Sequence, residues 1–338
     1  MIGWDIGGAH VKMAVLHGGR LVRVQQWPCP LWQGLHLMDA VIDEANPAAG
    51  ASHAVTMTGE MVDLFESRAV GVACLAARLS QRLGPDLRFF ASAGAWLDSR
   101  EASARWRDLA SANWAATARM AAVRLAGRSA GATLVDIGST TTDFIPVDGD
   151  TVGRGGSDAQ RLRSGELLYQ GVLRTPLCVL ANRIDFRGGS YNVMNEWFAT
   201  TADVYRLTGE LDPAHDQHPA ADNGPKDIGG SCRRLARMIG HDAADAPTAA
   251  WTAFAGEWRR RQLHLLQTEL TRVAQPARGP GPLIGAGCGG FLVRELARIL
   301  QREYVAFDAL IDDAPAELRG WANVCAPAVA VAVLCDLA

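Results

Sequence analysis

Lysine is almost missing from this chain of 338 residues: Lys12 and Lys226 are the only two among 33 lysines and arginines. The base composition of a GC-rich genome explains such scarcity without any selection for function. Acidic residues number 36, so the formal net charge is -3, and no basic surface of the kind that binds nucleic acid is expected. The composition therefore argues against DNA and RNA as partners.

Metal-binding cysteine pairs and membrane-spanning segments are missing as well. The seven cysteines include no Cys-x-x-Cys spacing, which argues against a structural zinc site, and their odd number favours a reducing cytoplasm. The sequence opens on an apolar strand with no charged leader, so secretion is not expected. The most apolar run, residues 326–334, is too short for a membrane span and predicts a buried helix. We therefore expect a cytoplasmic protein, with a homo-oligomer left open.

A glycine-rich hairpin occurs twice in the sequence. Residues 1–19 contain Asp5-Ile6-Gly7-Gly8 between two apolar strands, and residues 133–150 contain Asp136-Ile137-Gly138-Ser139 in the same setting. In this alignment Asp5 matches Asp136, and Lys12 matches Asp143. Each turn leaves several backbone N–H groups in one concave bend beside a carboxylate, an arrangement that binds phosphate and its Mg²⁺. One such turn alone is equally well explained as an ordinary β-turn, but two favour a clamp.

A third glycine-rich segment, residues 282–296, predicts a strand, a tight turn and the start of a helix. Such a turn lets a flat or phosphorylated ligand lie against bare backbone at the helix N-terminus. Cys288 in this turn is interpreted as a small residue rather than a reactive thiol. The glycines concerned are Gly285, Gly287, Gly289 and Gly290.

These three segments resemble the phosphate-1, phosphate-2 and adenosine motifs of the actin, Hsp70 and sugar-kinase superfamily of split-domain ATPases. The resemblance implies an α/β fold of two ribonuclease-H-like (actin-like ATPase) domains with a ligand cleft between them. Residues 1–128 would form the first domain, with a C-terminal helix at 322–338 packing back onto it. Residues 129–321 would form the second, with an insertion near 187–247.

A closer resemblance is to the hydantoinase/oxoprolinase branch, and within it to proteins linked to tetrahydromethanopterin-dependent C1 transfer. It implies a transferase of methanofuran or methylofuran biosynthesis. The phenol oxygen of a tyramine or tyrosine derivative, with or without glutamate attached, would attack an aminomethyl-furanyl-methyl diphosphate, and pyrophosphate would leave. The segments that carry this resemblance are residues 5–10, 56–60, 136–143, 169–176, 195–204 and 234–238.

The resemblance also implies roles for the residues of the two hairpins. Asp5 and Asp136 would position Mg²⁺, and Lys12 would place a compact positive charge beside the phosphates. Metal, backbone N–H groups and a cation would together stabilise the negative charge that develops on the leaving diphosphate. The phosphate oxygens would be bound by Gly7, Gly8, Ala9, Gly138, Ser139, Thr140 and Thr141.

The general base for the phenol stays open among His10, Glu60, Asp143 and Glu196. His10 stands where relatives have the Asn of Asn-Thr-Lys, and it would donate to a phosphate, deprotonate the phenol or only hydrogen-bond within its turn. Glu60 either follows a strand whose end faces the ligand or caps a helix that begins after Thr58. Asp143 is alternatively a partner of the metal ligands.

Further polar residues allow two interpretations each. Arg174 either contacts a substrate carboxylate or phosphate or forms a structural ion pair, and Glu196 is a second candidate for substrate binding. His215, Asp216 and His218 have the chemistry of metal ligands, but the flanking prolines predict a solvated loop.

Hydrophobic periodicity predicts the main elements between these motifs. Trp106, Trp114 and Met120 are expected on the core-facing side of one long helix, residues 103–127, and the three arginines at 259–261 are expected to be solvated. The other helices are predicted at 34–44, 70–83, 196–208 and 251–274, and two strands at 54–57 and 88–91.

Two other classes of function use the same motifs. An ATP-dependent small-molecule kinase or hydrolase of the hydantoinase/oxoprolinase type would place adenine at Gly285–Gly290, with ATP or ADP as its ligand. A non-catalytic nucleotide-binding protein is the second alternative, which the complete set of Asp5, Lys12 and Asp136 disfavours. The occupant of the glycine turn separates these functions: a nucleotide for the kinase, and furan or phenol for the ether-forming enzyme.

Overall fold

Two mixed β-sheets with the same strand order form the frame of the molecule. The computed structural model describes residues 1–127, 131–149, 151–273 and 279–338. The elements of the first part of the chain are β1 (Ile2–Ile6), β2 (His10–His17), β3 (Arg20–Pro28), α1 (His36–Ala45), β4 (His53–Met57), α2 (Arg68–Leu83), β5 (Leu87–Phe90), β6 (Trp96–Leu97), α3 (Ser99–Ala104), α4 (Trp106–Leu109) and α5 (Asn113–Leu125).

The first sheet has the order β3-β2-β1-β4-β5-β6. Strand β2 is antiparallel to both β1 and β3, whereas β1, β4 and β5 run parallel. All five residues of β1 and of β4 are buried, as expected for central strands that are covered on both faces. The predicted strand at 54–57 and the predicted helices at 34–44 and 70–83 correspond to β4, α1 and α2.

The second part of the chain repeats this plan around a longer helical region. Its elements are β7 (Ala132–Ile137), β8 (Thr142–Asp148), β9 (Thr151–Val152), α6 (Asp158–Ser164), β10 (Leu167–Leu168), β11 (Arg183–Phe186), β12 (Gly189–Asn192), α7 (Thr201–Leu207), α8 (Ile228–Arg237), α9 (Thr248–Arg272), β13 (Leu283–Ala286), α10 (Gly290–Ile299), β14 (Tyr304–Ala306), α11 (Ala316–Val324) and α12 (Ala326–Asp336).

The second sheet has the order β10-β8-β7-β13-β14, and β9 also pairs with β8. Strand β8 is antiparallel to β7, whereas β7, β13 and β14 run parallel. The sequence β8-β7-β13-β14 therefore corresponds to β2-β1-β4-β5, and the short β9 and β10 lie where β3 lies in the first sheet. Two sheets of this ribonuclease-H-like order confirm the predicted fold class.

Helix α12 is buried and lies against the first sheet. It contacts β1, β2 and β4, and it also packs on α5. A Cβ at Gly3 would lie 2.1 Å from the carbonyl oxygen of Ala328, so the close approach of helix and strand requires glycine there. One apolar cluster joins α5 and α12 with residues of both sheets, such as Ala54 and Ile284. The two halves thus share a core.

The region near residues 187–247 forms a lobe with its own apolar cluster. Hairpin β11–β12 and helices α7, α8 and α9 bury residues such as Trp251, Trp258 and Leu235. The guanidinium of Arg234 is fully buried there, 2.7 Å from Asp203 and 3.0 Å from Asp222. Arg259, expected to be solvated, instead pairs with Glu210 and Glu295 between α9 and α10.

Two predicted helices differ in the structure. The segment 103–127 is not one helix: it covers the end of α3, then α4 and α5. Helix α4 is separated from α5 because Ala110 is extended and Ser111 adopts a left-handed backbone (φ 50°). Trp106 accordingly lies on α4, while Trp114 and Met120 are buried on α5. Helix α7 begins at Thr201, since Thr200 and Asp203 form a capping box. Residues 196–199 therefore precede the helix predicted to contain them.

Some predicted boundaries fall outside the described residues: the division between domains at 128–129, the end of the second hairpin at Asp150 and the helix end at Ala274. Among the described residues, no single helix has the length and hydropathy needed to cross a membrane. Helices α11 and α12 meet those criteria only as a pair, which is bent by 104°.

Candidate active site

The two glycine-rich hairpins line one cavity of about 370 Å³. Their turns have the same backbone geometry: Gly7 N–H donates to the His10 carbonyl, and Gly138 N–H donates to the Thr141 carbonyl, both at 2.9 Å. Strand register pairs Asp5 with Lys12, and Asp136 with Asp143. The structure therefore brings the residues predicted to bind phosphate and metal together around one cavity. The predicted site residues that line this cavity are Asp5, Gly7, Gly8, Ala9, His10, Lys12, Asp136, Gly138, Ser139, Thr140, Thr141, Asp143 and Arg174.

A partly buried cation among carboxylates dominates the electrostatics of this first cavity. The Lys12 ammonium lies 3.4 Å from Asp5 Oδ2. Burial by itself would lower the pKa of Lys12. Nearby negative charges, of which Asp5 has the largest effect, outweigh burial, so the pKa of Lys12 is raised. Burial raises the pKa of Asp5, and burial together with the neighbouring Asp143 raises the pKa of Asp136 to about 7.

The two aspartates fit a shared magnesium site. Asp5 Oδ1 is buried and has no hydrogen-bond partner among the described residues. Within the same residues there is no group of three or more histidines, cysteines or acidic residues that would hold a metal by itself. Mg²⁺ usually takes one or two carboxylates and completes its shell with water and substrate phosphates. Asp5 and Asp136 provide that kind of partial site.

Glu60 and Asp143, two of the candidate bases, are paired with arginines. Asp143 Oδ1 accepts from Arg161 at 2.8 Å, and that guanidinium lies over the ring of Trp114. Glu60 Oε1 accepts from Arg68 at 2.7 Å and is also within hydrogen-bonding distance of the Ser111 hydroxyl. The capping interpretation of Glu60 is wrong, because only a short 3₁₀ turn, Gly59–Met61, follows Thr58, whose side chain caps nothing.

Glu60 and Glu196 do not line this cavity or the second one described below. Glu60 lies behind the cavity wall in a buried network with Arg68, Ser111 and Asp158. Glu196 is exposed and precedes α7. Neither residue is therefore placed to contact a ligand in this conformation.

Arg174 is held against the second glycine turn by its own backbone. The N–H groups of Leu173 and Arg174 both donate to the Ser139 carbonyl, and Gly171 packs so closely that a Cβ would lie 2.5 Å from Gly138 O. The guanidinium donates to Thr140 Oγ1 at 3.3 Å and lies 5.4 Å from the ring centre of Trp32. Among the described residues it makes no ion pair, so the structural ion-pair interpretation is wrong.

His10 begins β2 and has little exposure. Its Nε2 is buried and has no hydrogen-bond partner among the described residues. Burial, together with the neighbouring His218 and the positive charge of Lys12, lowers the pKa of His10 well below its usual value. His10 is therefore a neutral imidazole at the edge of the first cavity.

The loop predicted to be solvated is docked on the first sheet's edge. His218 Nε2 lies 2.9 Å from the Ala9 carbonyl oxygen, and Gln217 donates to the backbone of Gln26 and pairs with its side chain. Asp216 forms ion pairs with Arg206 and Lys226. The prediction of a solvated loop is wrong, because the contacts with Ala9 and Gln26 join residues about 190–210 positions apart, which no local pattern reveals.

A second cavity of about 480 Å³ adjoins the first. The two share His10, Trp32 and Arg174. The rest of its wall includes Gln217 and His218 from the docked loop and Trp197 from the segment before α7. Sequence reasoning missed Trp32, Gln217 and Trp197, and it considered His218 only as a possible metal ligand. Trp197 carried a signal, as a tryptophan inside a segment that resembles the family.

The third glycine turn lies outside both cavities. Gly287 has φ +78°, and a Cβ there would lie 2.2 Å from the Ile137 carbonyl oxygen; one at Gly289 would lie 2.4 Å from the Ile137 side chain. The Tyr304 ring takes the space beside Gly285, where a Cβ would lie 2.7 Å from it. These glycines thus serve close packing of β13 and α10 against β7, while Gly290 lies beside the Tyr304 hydroxyl. Burial raises the pKa of Cys288 to about 12, so it is a neutral thiol.

Comparison with known proteins identifies relatives across most of the chain. The family model for hydantoinase/oxoprolinase matches residues 44–305. The (4-{4-[2-(gamma-L-glutamylamino)ethyl]phenoxymethyl}furan-2-yl)methanamine synthase of Methanocaldococcus jannaschii is 29% identical over 275 residues, 81% of this chain and 82% of that protein. The synthase of the same name from Methanococcus vannielii is 32% identical over 142 residues, 42% of this chain and 64% of that protein.

Solved structures with a similar fold are much more distant in sequence. Component A of the (R)-2-hydroxyglutaryl-CoA dehydratase of Acidaminococcus fermentans has a TM-score of 0.47 at 11% identity, covering 99% of this chain and 98% of that one. The ROK hexokinase of Thermus thermophilus has a TM-score of 0.41 at 16% identity, covering 100% and 99%.

Proposed function

The chain belongs to the hydantoinase/oxoprolinase family, and from that premise we propose that it is an ether-forming transferase of methanofuran-type cofactor biosynthesis. It joins an aminomethyl-furanyl-methyl diphosphate to the phenol oxygen of a tyramine or tyrosine derivative and releases pyrophosphate. The names of both methanogen relatives describe such a product, a furan methanamine that carries a phenoxymethyl ether. The similarity to the first of them extends over 81% of this chain.

The observation that carries the proposal is the pair of facing glycine turns with two cations beside them. The N–H groups of Gly7 and Gly138 close the two turns. The diphosphate oxygens are bound by other backbone N–H groups of the turns, such as those of Gly8, Ser139 and Thr140, since both turns line the first cavity. Lys12 and Arg174 supply positive charge on that same wall. Arg174 has no carboxylate partner among the described residues, as expected of a cation that pairs with a ligand.

The expected chemistry is displacement at the methylene carbon of the furan. The phenol oxygen forms the new carbon–oxygen bond, and the bond to the diphosphate breaks with its electron pair passing to the leaving oxygen. The furan ring stabilises positive charge at that carbon, while Lys12, Arg174 and the turn amides stabilise the negative charge on the diphosphate. Asp5 and Asp136 would hold Mg²⁺, which would supply Lewis-acid stabilisation of the leaving diphosphate.

The kinase alternative has less support from the geometry. Its adenine would lie at Gly285–Gly290, but these glycines line neither cavity, and Tyr304 occupies the space beside Gly285. A diphosphate without adenosine needs only the two hairpin turns. We therefore propose that the two hairpin turns bind a diphosphate and that no adenosine is bound.

The test is pyrophosphate release from the furanyl-methyl diphosphate in the presence of Mg²⁺ and tyramine, tyrosine or γ-glutamyl tyramine. We expect release that depends on the phenol, with the ether detected by mass spectrometry and no turnover of ATP. Asp5→Asn and Asp136→Asn are each expected to lower the rate by about 100-fold or more. Asp185→Asn, a change at an exposed carboxylate of β11, is the matched control.

Two results would reject parts of this proposal. ATP turnover with no ether from any of the three phenols would return the chain to the kinase or hydrolase class. Full activity of both Asn variants would exclude the aspartates as the magnesium ligands and leave the transferase assignment standing.

A further inference from the structure

We propose that the phenol acceptor binds in the second cavity and that His218 accepts its proton there. This inference rests on the proposed function, because it assigns the second substrate of that reaction. The proposed chemistry requires a proton acceptor near the phenol, and Glu60 and Asp143 are already engaged by Arg68 and Arg161.

The second cavity has the position and the walls of an acceptor site. It meets the phosphate cavity at His10, Trp32 and Arg174, so a molecule in it reaches the carbon attached to a diphosphate next door. Trp32 and Trp197 line it with 40% and 61% of their surfaces exposed. Exposed indole rings in a concave site are favourable contacts for an aromatic ligand such as the phenol ring.

The protonation state of His218 follows from its hydrogen bond. The Ala9 carbonyl can only accept, so His218 Nε2, 2.9 Å away, must carry the hydrogen. In a neutral imidazole the other nitrogen, Nδ1, is then an acceptor. Burial first, and the positive charge of Arg174 second, lower the pKa of His218, which keeps the ring neutral before substrate binds.

His218 lines the second cavity beside two residues that line both cavities. Its ring centre is 4.6 Å from that of His10 in an edge-on arrangement and 6.3 Å from that of Trp32. His10 lines both cavities, but its Nε2 is buried and accepts or donates no hydrogen bond among the described residues. His218 is the better acceptor because it is more exposed and is oriented by Ala9.

The proton and electron balance of the step is complete without another reactant. The phenol O–H bond breaks, its proton goes to His218 Nδ1, and the oxygen keeps the electron pair that forms the bond to the furanyl-methyl carbon. The old carbon–oxygen bond breaks towards the diphosphate. The imidazolium formed at His218 then loses its proton to water as pyrophosphate departs.

The test compares two phenols of different acidity with wild-type protein and His218→Gln. For tyramine we expect kcat/KM to fall by about 100-fold or more in the variant, the usual contribution of general base catalysis. For 3,5-difluorotyramine, a much more acidic phenol assayed at a pH where it is largely ionised, we expect a loss below about 10-fold, because little proton transfer remains to be catalysed. His215→Gln, on the same loop but outside both cavities, is the control for disturbance of the loop.

A second variant tests the cavity without touching the base. Trp197→Ala is expected to raise KM for tyramine while leaving KM for the furanyl-methyl diphosphate unchanged. The indole is largely exposed, so its removal takes little buried surface from the fold. Equal losses with both phenols in His218→Gln, or a Trp197→Ala effect on the diphosphate instead, would overturn the inference. Absence of ether formation by the wild type would instead overturn the proposed function.

Discussion

Two arginines of the second half of the chain differ in what holds them. Arg234 has no exposed surface, and its guanidinium is paired with Asp203 and Asp222. Arg174 lines both cavities, donates to the Thr140 hydroxyl and lies over the Trp32 ring. Because a buried charge is tolerated only with partners, Arg234 stabilises the fold. Arg174, lacking a carboxylate among the described residues, has its positive charge available to a ligand.

Substituting each arginine by glutamine is expected to separate these roles. Arg234→Gln removes the buried partner of two carboxylates in the lobe and should lower the free energy of unfolding by about 3–5 kcal/mol. Arg174→Gln should leave that free energy nearly unchanged and lower kcat/KM for the diphosphate by about 10- to 100-fold, the loss of one charge-assisted hydrogen bond. Urea unfolding and steady-state kinetics measure the two effects. Comparable destabilisation by both changes would show that Arg174 is structural.

At the level of elements, the second glycine turn depends on the segment that lies over it. Gly171 approaches the backbone of the turn, and its carbonyl accepts from Thr175, Thr201 and Gln262 side chains. Leu173 and Arg174 then bond to the Ser139 carbonyl. The position of the Arg174 side chain is thus set by the same backbone that shapes the phosphate turn.

A methyl group at Gly171 should therefore disturb both the phosphate turn and the position of the Arg174 side chain. Gly171→Ala places a Cβ 2.4–2.5 Å from backbone atoms of residues 138–140, and we expect a loss of about 1–3 kcal/mol in the free energy of unfolding together with slower pyrophosphate release. Gly256→Ala is the control: it lies inside α9, a Cβ there meets nothing within 4 Å, and helix propensity predicts a gain of about 0.5–1 kcal/mol. Unchanged activity in Gly171→Ala would contradict the coupling between segment and turn.

The contrast between the hairpins and the docked loop explains what could be predicted from sequence. In each hairpin a few small residues join two adjacent strands, so a local pattern was enough to predict both hairpins. The register that places Asp5 opposite Lys12 is a finding of the structure. The loop around His218 is held by Ala9 and Gln26, whose contacts with it are not encoded in the loop itself. Likewise, the helix break at Ser111 coincides with its contact to Glu60, about 50 positions earlier. Long-range polar contacts were the part that the sequence could not reveal.

At the scale of the whole molecule, the ligand site lies where elements from both halves meet. Helices α5 and α12 join the two sheets in one apolar cluster, while the first cavity takes residues from both hairpins. The docked loop reaches the first sheet from the lobe through Gln217 and His218. A ligand held by both turns thus contacts the two halves at once and should stabilise the folded molecule as a unit.

Thermal unfolding in the presence of phosphate ligands tests whether a ligand held by both turns stabilises the folded molecule. The same experiment tests the expected lack of adenosine binding. Pyrophosphate with Mg²⁺ should raise Tm, and at 100 times its Kd the stabilisation is about 2.7 kcal/mol, since it binds only the folded state. A non-hydrolysable ATP analogue should give no larger shift than inorganic tripolyphosphate, because Tyr304 fills the space beside Gly285 and the glycine turn lines neither cavity. Asp5→Asn should remove the part of each shift that needs Mg²⁺. A clearly larger shift with the nucleotide than with tripolyphosphate would mean that adenosine is bound, which contradicts the closed glycine turn and favours the kinase alternative.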